Sequence, residues 1–328
     1  MEKARLEKRR MIAYITFGVG LFVFFLLTRS VELVGNQQIH TLMELLATTL
    51  ALFVGVLALI RFYTKRNNTF LLIGAGFIGT AFLDGYHAVV TSTFFEISSF
   101  PALEVLIPWS WNASRYFLAL LMFVSWFVWR REKKVGKKGV ISEHVVYAGI
   151  TLVTLASFIF FAFYPLPRAY YPELFFGRPQ ELGAALLFLA ALVGYLSKGK
   201  WKTSNFENWI ILSLIAGFAA QTIFISLSVQ LFDFSFDVAH GLKIISYLFA
   251  LIALLVSVYH LSQDAERGKK ELEEKNEELI LSKRQAELDA KTAENSRKET
   301  EQINKSMVGR ELKMIELKKE LEELKKHR

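Results

Sequence analysis

Eight apolar runs, each near the ~20 residues a hydrocarbon core demands, fill most of the chain before Leu261. Lipid offers the backbone no hydrogen-bond partner, so runs of this length fold as helices. They lie at about 11–28, 37–60, 69–91, 107–129, 143–164, 181–197, 208–231 and 238–261. Phe alone occurs 29 times in 328 residues, and charge is gathered in blocks between the apolar runs, which excludes an ordinary soluble domain. The expected fold is all-α, a polytopic membrane protein with eight transmembrane helices followed by a long cytoplasmic coiled-coil helix.

Loop charge sets the orientation. Basic segments are residues 1–10, RFYTKR at 61–66, RREKKVGKK at 130–138, SKGKWK at 197–202 and the tail after 261. The alternate loops, near 29–36, 92–106, 165–180 and 232–237, hold only Arg29, Arg168 and Arg178 among Lys and Arg. By the positive-inside rule both termini are cytoplasmic, and the even span count agrees; the alternative, a seven-span layout, would strand one basic loop outside. The basic start followed by an apolar run resembles a signal peptide, but it lacks a small-x-small cleavage pattern and reads as a retained first helix. The domains expected are a basic anchor at 1–10, an eight-helix sensor at 11–261 and a coiled-coil signalling helix at 262–328. The net charge of +8 belongs to this topology. No base- or phosphate-recognition motif accompanies it, so nucleic acid is not an expected partner. The outer loop PLPRAYYPELFFGRPQE is rich in Pro and aromatics and reads as an interfacial belt or a lid.

The tail is dense in Glu and Lys and has no proline. Leu272, Leu279, Ala286, Ala293, Thr300, Met307, Met314 and Leu321 form a seven-residue ladder, joined late by Ile303, Leu317 and Leu324. That spacing predicts a parallel dimeric coiled coil, with a single charged helix as the alternative. The tail has no room for a kinase or cyclase, so enzymatic output is not expected from this chain.

Titratable groups inside apolar spans are costly and mark sites. Here they gather in the outer part of four spans: His40 and Glu44; Asp84 and His87; Trp111, Asn112 and Arg115; His240, Lys243 and Tyr247. His40 and Glu44 are i, i+4, and Asp84 and His87 are i, i+3, so each pair shares a helix face. His40, Glu44, Asp84, His87 and His240 have the chemistry of zinc or iron ligands or their supports. Two histidines on facing helices also suit haem b. Arg115 and Lys243 offset the two acids and are candidates for an anionic partner, with Asn112 and Tyr247 donating hydrogen bonds and Trp111 beside them. Three readings stay open: a structural salt-bridge network, a metal or haem site, and a pocket for a small organic ligand. A zinc-dependent intramembrane lipid amidase and a non-binding scaffold are the other functional classes. The chain has no cysteine, so thiolate ligation is excluded. The glycines Gly74, Gly76 and Gly79 are expected to permit close helix packing.

HTLME, LDGYH, WNASR and HGLKIISY, in that order within an eight-span layout, resemble the MASE3 membrane-associated sensor domain of bacterial signalling proteins. The resemblance covers roughly residues 10–262. It implies signal reception at the bacterial cytoplasmic membrane. Members usually continue into PAS, histidine kinase or diguanylate cyclase modules. The tail is similar to their linker helices, so the output is expected from a separate cytoplasmic partner such as a histidine kinase or diguanylate cyclase, or from a continuation beyond a truncated piece.

Overall fold

A computed structural model describes residues 2–93, 101–135 and 141–326. Among them are eight α-helices: α1 Glu2–Thr28, α2 Gln37–Lys65, α3 Asn68–Val90, α4 Leu103–Val135, α5 Glu143–Phe163, α6 Glu181–Lys198, α7 Asn205–Ala219 and α8 Phe234–Lys326. Seven of these segments are long and apolar enough to cross a membrane, with α7 counted through Leu227. The exception is α4. At 33 residues it has the length, but Pro108, Ser110, Asn112, Ser114 and Arg115 dilute its apolar character. Those same polar residues are buried, so α4 turns its polar face to its neighbours.

Helix ends follow local chemistry. Asn36 caps α2 by accepting from the Ile39 N–H at 2.9 Å, and Asn67 caps α3 by accepting from Thr69 N–H at 2.9 Å. The α2–α3 turn passes through Arg66 in the left-handed region at φ 43. The span expected at 208–231 is not one regular helix. It loosens into a π turn at Ala220–Phe224 and a 3₁₀ turn at Ile225–Leu227. Within the π turn, Gln221 donates to Glu181 at 2.9 Å. π turns inside helices often mark functional sites.

The chain divides into two compact units, Met1–His260 and Leu261–Arg328. In the first, α3 is the centre, apolar nearly all round and buried along most of its length. It packs on α2, α4 and α5, and α4 packs in turn on α6. By contrast α1 is peripheral, with only Arg10 and Tyr14 buried. Its Arg10 donates to the carbonyls of Trp201 and Ser204 and to Asn205 Oδ1. Tyr14 donates to Asn208 at 2.8 Å.

The second unit is a continuous helix whose described side chains are exposed from Asp264 onward. Its heptad leucines lie open, Leu272 at 69% and Leu324 at 71%. Glu-to-Lys pairs one turn apart, such as Glu294–Lys298 at 2.8 Å and Glu266–Lys270 at 3.2 Å, support the helix.

Glycine sets the α2–α3 spacing. A Cβ on Gly55 would lie 2.9 Å from the Ile78 backbone nitrogen, and one on Gly74 would lie 3.0 Å from that of Leu59. Gly55→Ala and Gly74→Ala are therefore expected to destabilise the protein by about 1–3 kcal/mol through overpacking. Gly18→Ala, where a Cβ meets nothing within 4 Å, should leave the thermal midpoint in detergent unchanged.

Candidate metal centre

Two short loops bring the site together. Residue Val34, ahead of α2, forms an antiparallel bridge with Asp233, ahead of α8. Beside it, Gly35 N–H donates to the Phe232 carbonyl at 2.7 Å. Asp233 caps α8, accepting from Phe236 N–H at 2.8 Å. The two helices therefore start at one level. At ~1.5 Å per residue, His40 and Glu44 lie about 6 and 12 Å along α2 from Asn36, and His240 and Lys243 about 10 and 15 Å along α8 from Asp233. The antiparallel α3 arrives at the same level, pinned by Gln37 Nε2 donating to the Thr91 carbonyl at 2.7 Å. This sets His87 beside the first turns of α2.

His40, Glu44, His87 and His240 are all buried, and one ligand atom from each lies within 4.8 Å of all the others. His240 Nδ1 is 2.7 Å from the Phe236 carbonyl. A carbonyl only accepts, so the proton sits on Nδ1 and, in the neutral ring, Nε2 carries a lone pair. That lone pair faces Glu44 Oε1 at 3.3 Å. Both atoms are acceptors, and neither has a hydrogen-bond partner. A second proton on His240 or a cation between the two relieves the clash. His87 is oriented similarly. Ser110 Oγ donates to the Leu106 carbonyl at 2.5 Å and lies 2.7 Å from His87 Nδ1. Accepting from Nδ1–H, it leaves a lone pair on His87 Nε2, which in the neutral ring accepts from His40 Nε2–H at 3.2 Å. His40 Nδ1 has no partner. Four ligands at zinc bond lengths of ~2.0–2.1 Å in a tetrahedron stand roughly 3.4 Å apart, close to the 3.2 and 3.3 Å of the His87–His40 and His240–Glu44 pairs, while the set as a whole spreads to within 4.8 Å. A ligating imidazole typically has its second nitrogen held by a carbonyl or other polar group, as His240 and His87 do.

Behind this cluster lies an ion-pair network. Lys243 Nζ is 2.5 Å from Glu44 Oε2 and 3.1 Å from Asp84 Oδ1. Arg115 Nη2 is 3.2 Å from Asp84 Oδ2. The Tyr247 hydroxyl donates to Asp84 at 2.9 Å and accepts from Arg115. Two acids thus meet two cations, and each charge has a partner, as burial requires. Trp111 packs its ring 4.1 Å from His240 and lies under Lys243 at 4.7 Å and Arg115 at 5.2 Å.

Of the ten residues singled out from the sequence, nine meet in this connected assembly. Four share the imidazole–carboxylate cluster. Asp84 stands with Lys243, Arg115 and Tyr247 and not among the four. Asn112 faces elsewhere, donating to the Gln180 carbonyl at 3.1 Å.

The sequence reading missed Ser110 and the Phe236 carbonyl, which orient two imidazoles. The Phe236 carbonyl stands one turn before His240, so its role was available from helix periodicity. It also placed Arg178 in an outer loop. In fact Arg178 is fully buried, 2.5 Å from Glu181. Tyr170 lies over its guanidinium at 5.4 Å, and burial pushes the Tyr170 hydroxyl up to about 12. The 165–180 segment is thus partly folded onto α4 and α6, with Trp109 donating to the Pro167 carbonyl at 2.8 Å. Glu104, within the loop expected near 92–106, is in the first turn of α4. The 136–138 end of RREKKVGKK lies outside the described residues.

No curated protein and no solved structure matches the chain. The family model for the MASE3 membrane-associated sensor domain matches residues 31–259. That stretch runs from just before α2 to the turn of α8 that closes the first unit, and it contains all ten residues discussed above. This match covers most of the chain, and the chain belongs to the MASE3 family of membrane-associated sensor domains.

Proposed function

We propose that this chain is a membrane sensor whose stimulus is a divalent transition metal, zinc in the first instance, held by His40, His87, His240 and Glu44. The observation that carries the reading is the convergence of three buried imidazoles on Glu44, with the unpartnered His240 Nε2 facing the unpartnered Glu44 Oε1. A structural network would instead need a second proton on His240, putting an imidazolium and the Lys243 ammonium on the same buried carboxylate. Haem fits the geometry less well than a bare ion. It takes two imidazoles on opposite sides of a macrocycle, whereas three imidazoles and a carboxylate here crowd one small volume. The ligand set is all nitrogen and oxygen, which suits zinc or iron. Glu44 is prepared as a ligand, since Lys243 holds one of its oxygens and leaves the other turned to the cluster. The four ligand atoms are enclosed, which favours sensing over hydrolysis, because a catalytic zinc keeps a position open to substrate.

Occupancy would be read through α8, the helix that carries His240 and Lys243 and extends to Lys326. A bound ion ties α8 to α2 and α3. It biases α8 between two packings, provided it binds one of them more tightly. The exposed heptad positions would pair two chains in parallel and pass the bias to a cytoplasmic partner such as a kinase or cyclase. All eight helices cross the bilayer in this reading. In α4 the length is sufficient and the polar residues are turned inward. Arg66, Lys198, Lys200 and Lys202 then share the cytoplasmic side with both termini.

Purified protein should carry one zinc per chain by elemental analysis. Zinc at a hundredfold over its Kd should add about 2.7 kcal/mol to folding, raising the thermal midpoint by roughly 5–10 °C. His40→Ala and His87→Ala should lose both the metal and the shift. A Soret band would assign haem instead, and a protein without metal whose midpoint ignores zinc and iron would overturn the proposal.

Dimerisation has a clean chemical test, because the chain contains no cysteine. In membranes, oxidation should crosslink the Leu317→Cys variant readily and Lys318→Cys poorly. Zinc should change the Leu317→Cys crosslinking rate, and adding His240→Ala should abolish that response. Equal rates at the two positions would exclude the heptad seam.

A further inference from the structure

A second polar cavity, of about 190 Å³, lies at the opposite end of the first unit, where the α2–α3 and α6–α7 turns meet α4 and α8. It shares no residue with the metal cluster. Three cations line it, Arg61, Lys198 and Lys200, against one carboxylate, Glu207. Its remaining polar lining includes Asn67 and Ser204, the capping residues of α3 and α7, so the positive ends of two helix dipoles open onto it. Trp129 forms one wall, with Lys198 and Lys200 over its ring at 5.0 and 5.5 Å.

Two buried groups lining the cavity lack partners. Thr69 is 5% exposed and its hydroxyl meets no hydrogen-bond partner. Glu207 is 4% exposed. Its Oε1 lies 3.2 Å from Lys198 Nζ, but Oε2 has no partner. A buried hydroxyl or carboxylate oxygen left without a hydrogen bond costs about 1–3 kcal/mol. Both therefore point to something that fills the space.

We infer that this cavity binds a phosphate group carrying a neighbouring hydroxyl. The cations and the Thr69 hydroxyl supply charge-assisted and neutral hydrogen bonds to phosphate oxygens. Glu207 Oε2 cannot serve an anion, and it accepts from the hydroxyl of the same ligand. Size restricts the class. Pockets for drug-sized ligands run to roughly 300–1,000 Å³, so this one takes a polyol phosphate and not a whole nucleotide. A phosphatidylglycerol headgroup and a soluble glycerol phosphate share this chemistry. The site also reaches α8. Arg61 Nε donates to Ser257 Oγ at 2.9 Å, three residues before His260 closes the unit. A phosphate drawn to Arg61 therefore competes for the group that fastens α8 to α2, which gives the membrane or the cytoplasm a second hand on the signalling helix.

The full chain in phosphatidylcholine nanodiscs should be titrated with glycerol 3-phosphate, and compared with nanodiscs containing phosphatidylglycerol. The readouts are the thermal midpoint and the fluorescence difference between wild type and Trp129→Phe. A response to phosphatidylglycerol alone assigns a headgroup, a response to glycerol 3-phosphate alone assigns a soluble ligand, and a response to both assigns the shared chemistry. In each case Lys200→Gln, at an exposed position, should weaken apparent affinity about tenfold, the loss of one charge-assisted hydrogen bond. Lys8→Gln, which removes one exposed charge outside the cavity, should respond as wild type. No response to either probe, or equal weakening by Lys200→Gln and Lys8→Gln, would overturn the inference. Metal content is measured separately and is indifferent to these variants.

Discussion

Lys243 holds the interior of the first unit together. Its ammonium reaches Glu44 on α2 and Asp84 on α3 from α8, and Arg115 on α4 completes the balance at Asp84. Four helices are thereby joined through charges that no lipid environment would tolerate alone. Removing one member of such a buried set leaves a naked charge and costs roughly 3–5 kcal/mol. Between apolar helices in lipid there is little hydrophobic force to choose a partner. A network of this kind therefore specifies which helices meet, and at what depth.

The histidine cluster rests on that network. Glu44 belongs to both, with one oxygen on Lys243 and the other facing His240. His240 and Lys243 sit one turn apart on α8, so the cluster and the ion-pair network share one helix. The bridge between Val34 and Asp233 and the Gln37 contact to Thr91 hold the ends of α2, α3 and α8 level. Without that levelling, residues in the end turns of three helices would not meet at one depth.

Much of the site was legible in the sequence because charge inside an apolar run has few innocent explanations. His40, Glu44, Asp84, His87, Arg115, His240 and Lys243 were visible for that reason alone, and the helical period placed each pair on one face. Arg178 and Glu181 escaped because they flank the start of α6, where a charged residue ordinarily faces solvent. Only folding of the outer segment onto α4 and α6 buries them. The heptad seam of the tail was likewise visible as period, while its partner is not a property of one chain.

The amino-acid sequence by itself determined that this is a helical membrane protein with a charged helical tail, that it resembles a sensor domain, and which titratable groups lie at matching depth. Those follow from run length, loop charge and periodicity, all of which are local. Tertiary structure alone decided the division of labour among them. It put Asp84 with the cations and Glu44 between cation and imidazole, and it turned Asn112 towards Gln180. It also fixed the Nδ1 proton of His240 on the Phe236 carbonyl. Periodicity assigns a side chain to a helix face; the rotation and packing of neighbouring helices decide which atom of it meets which partner.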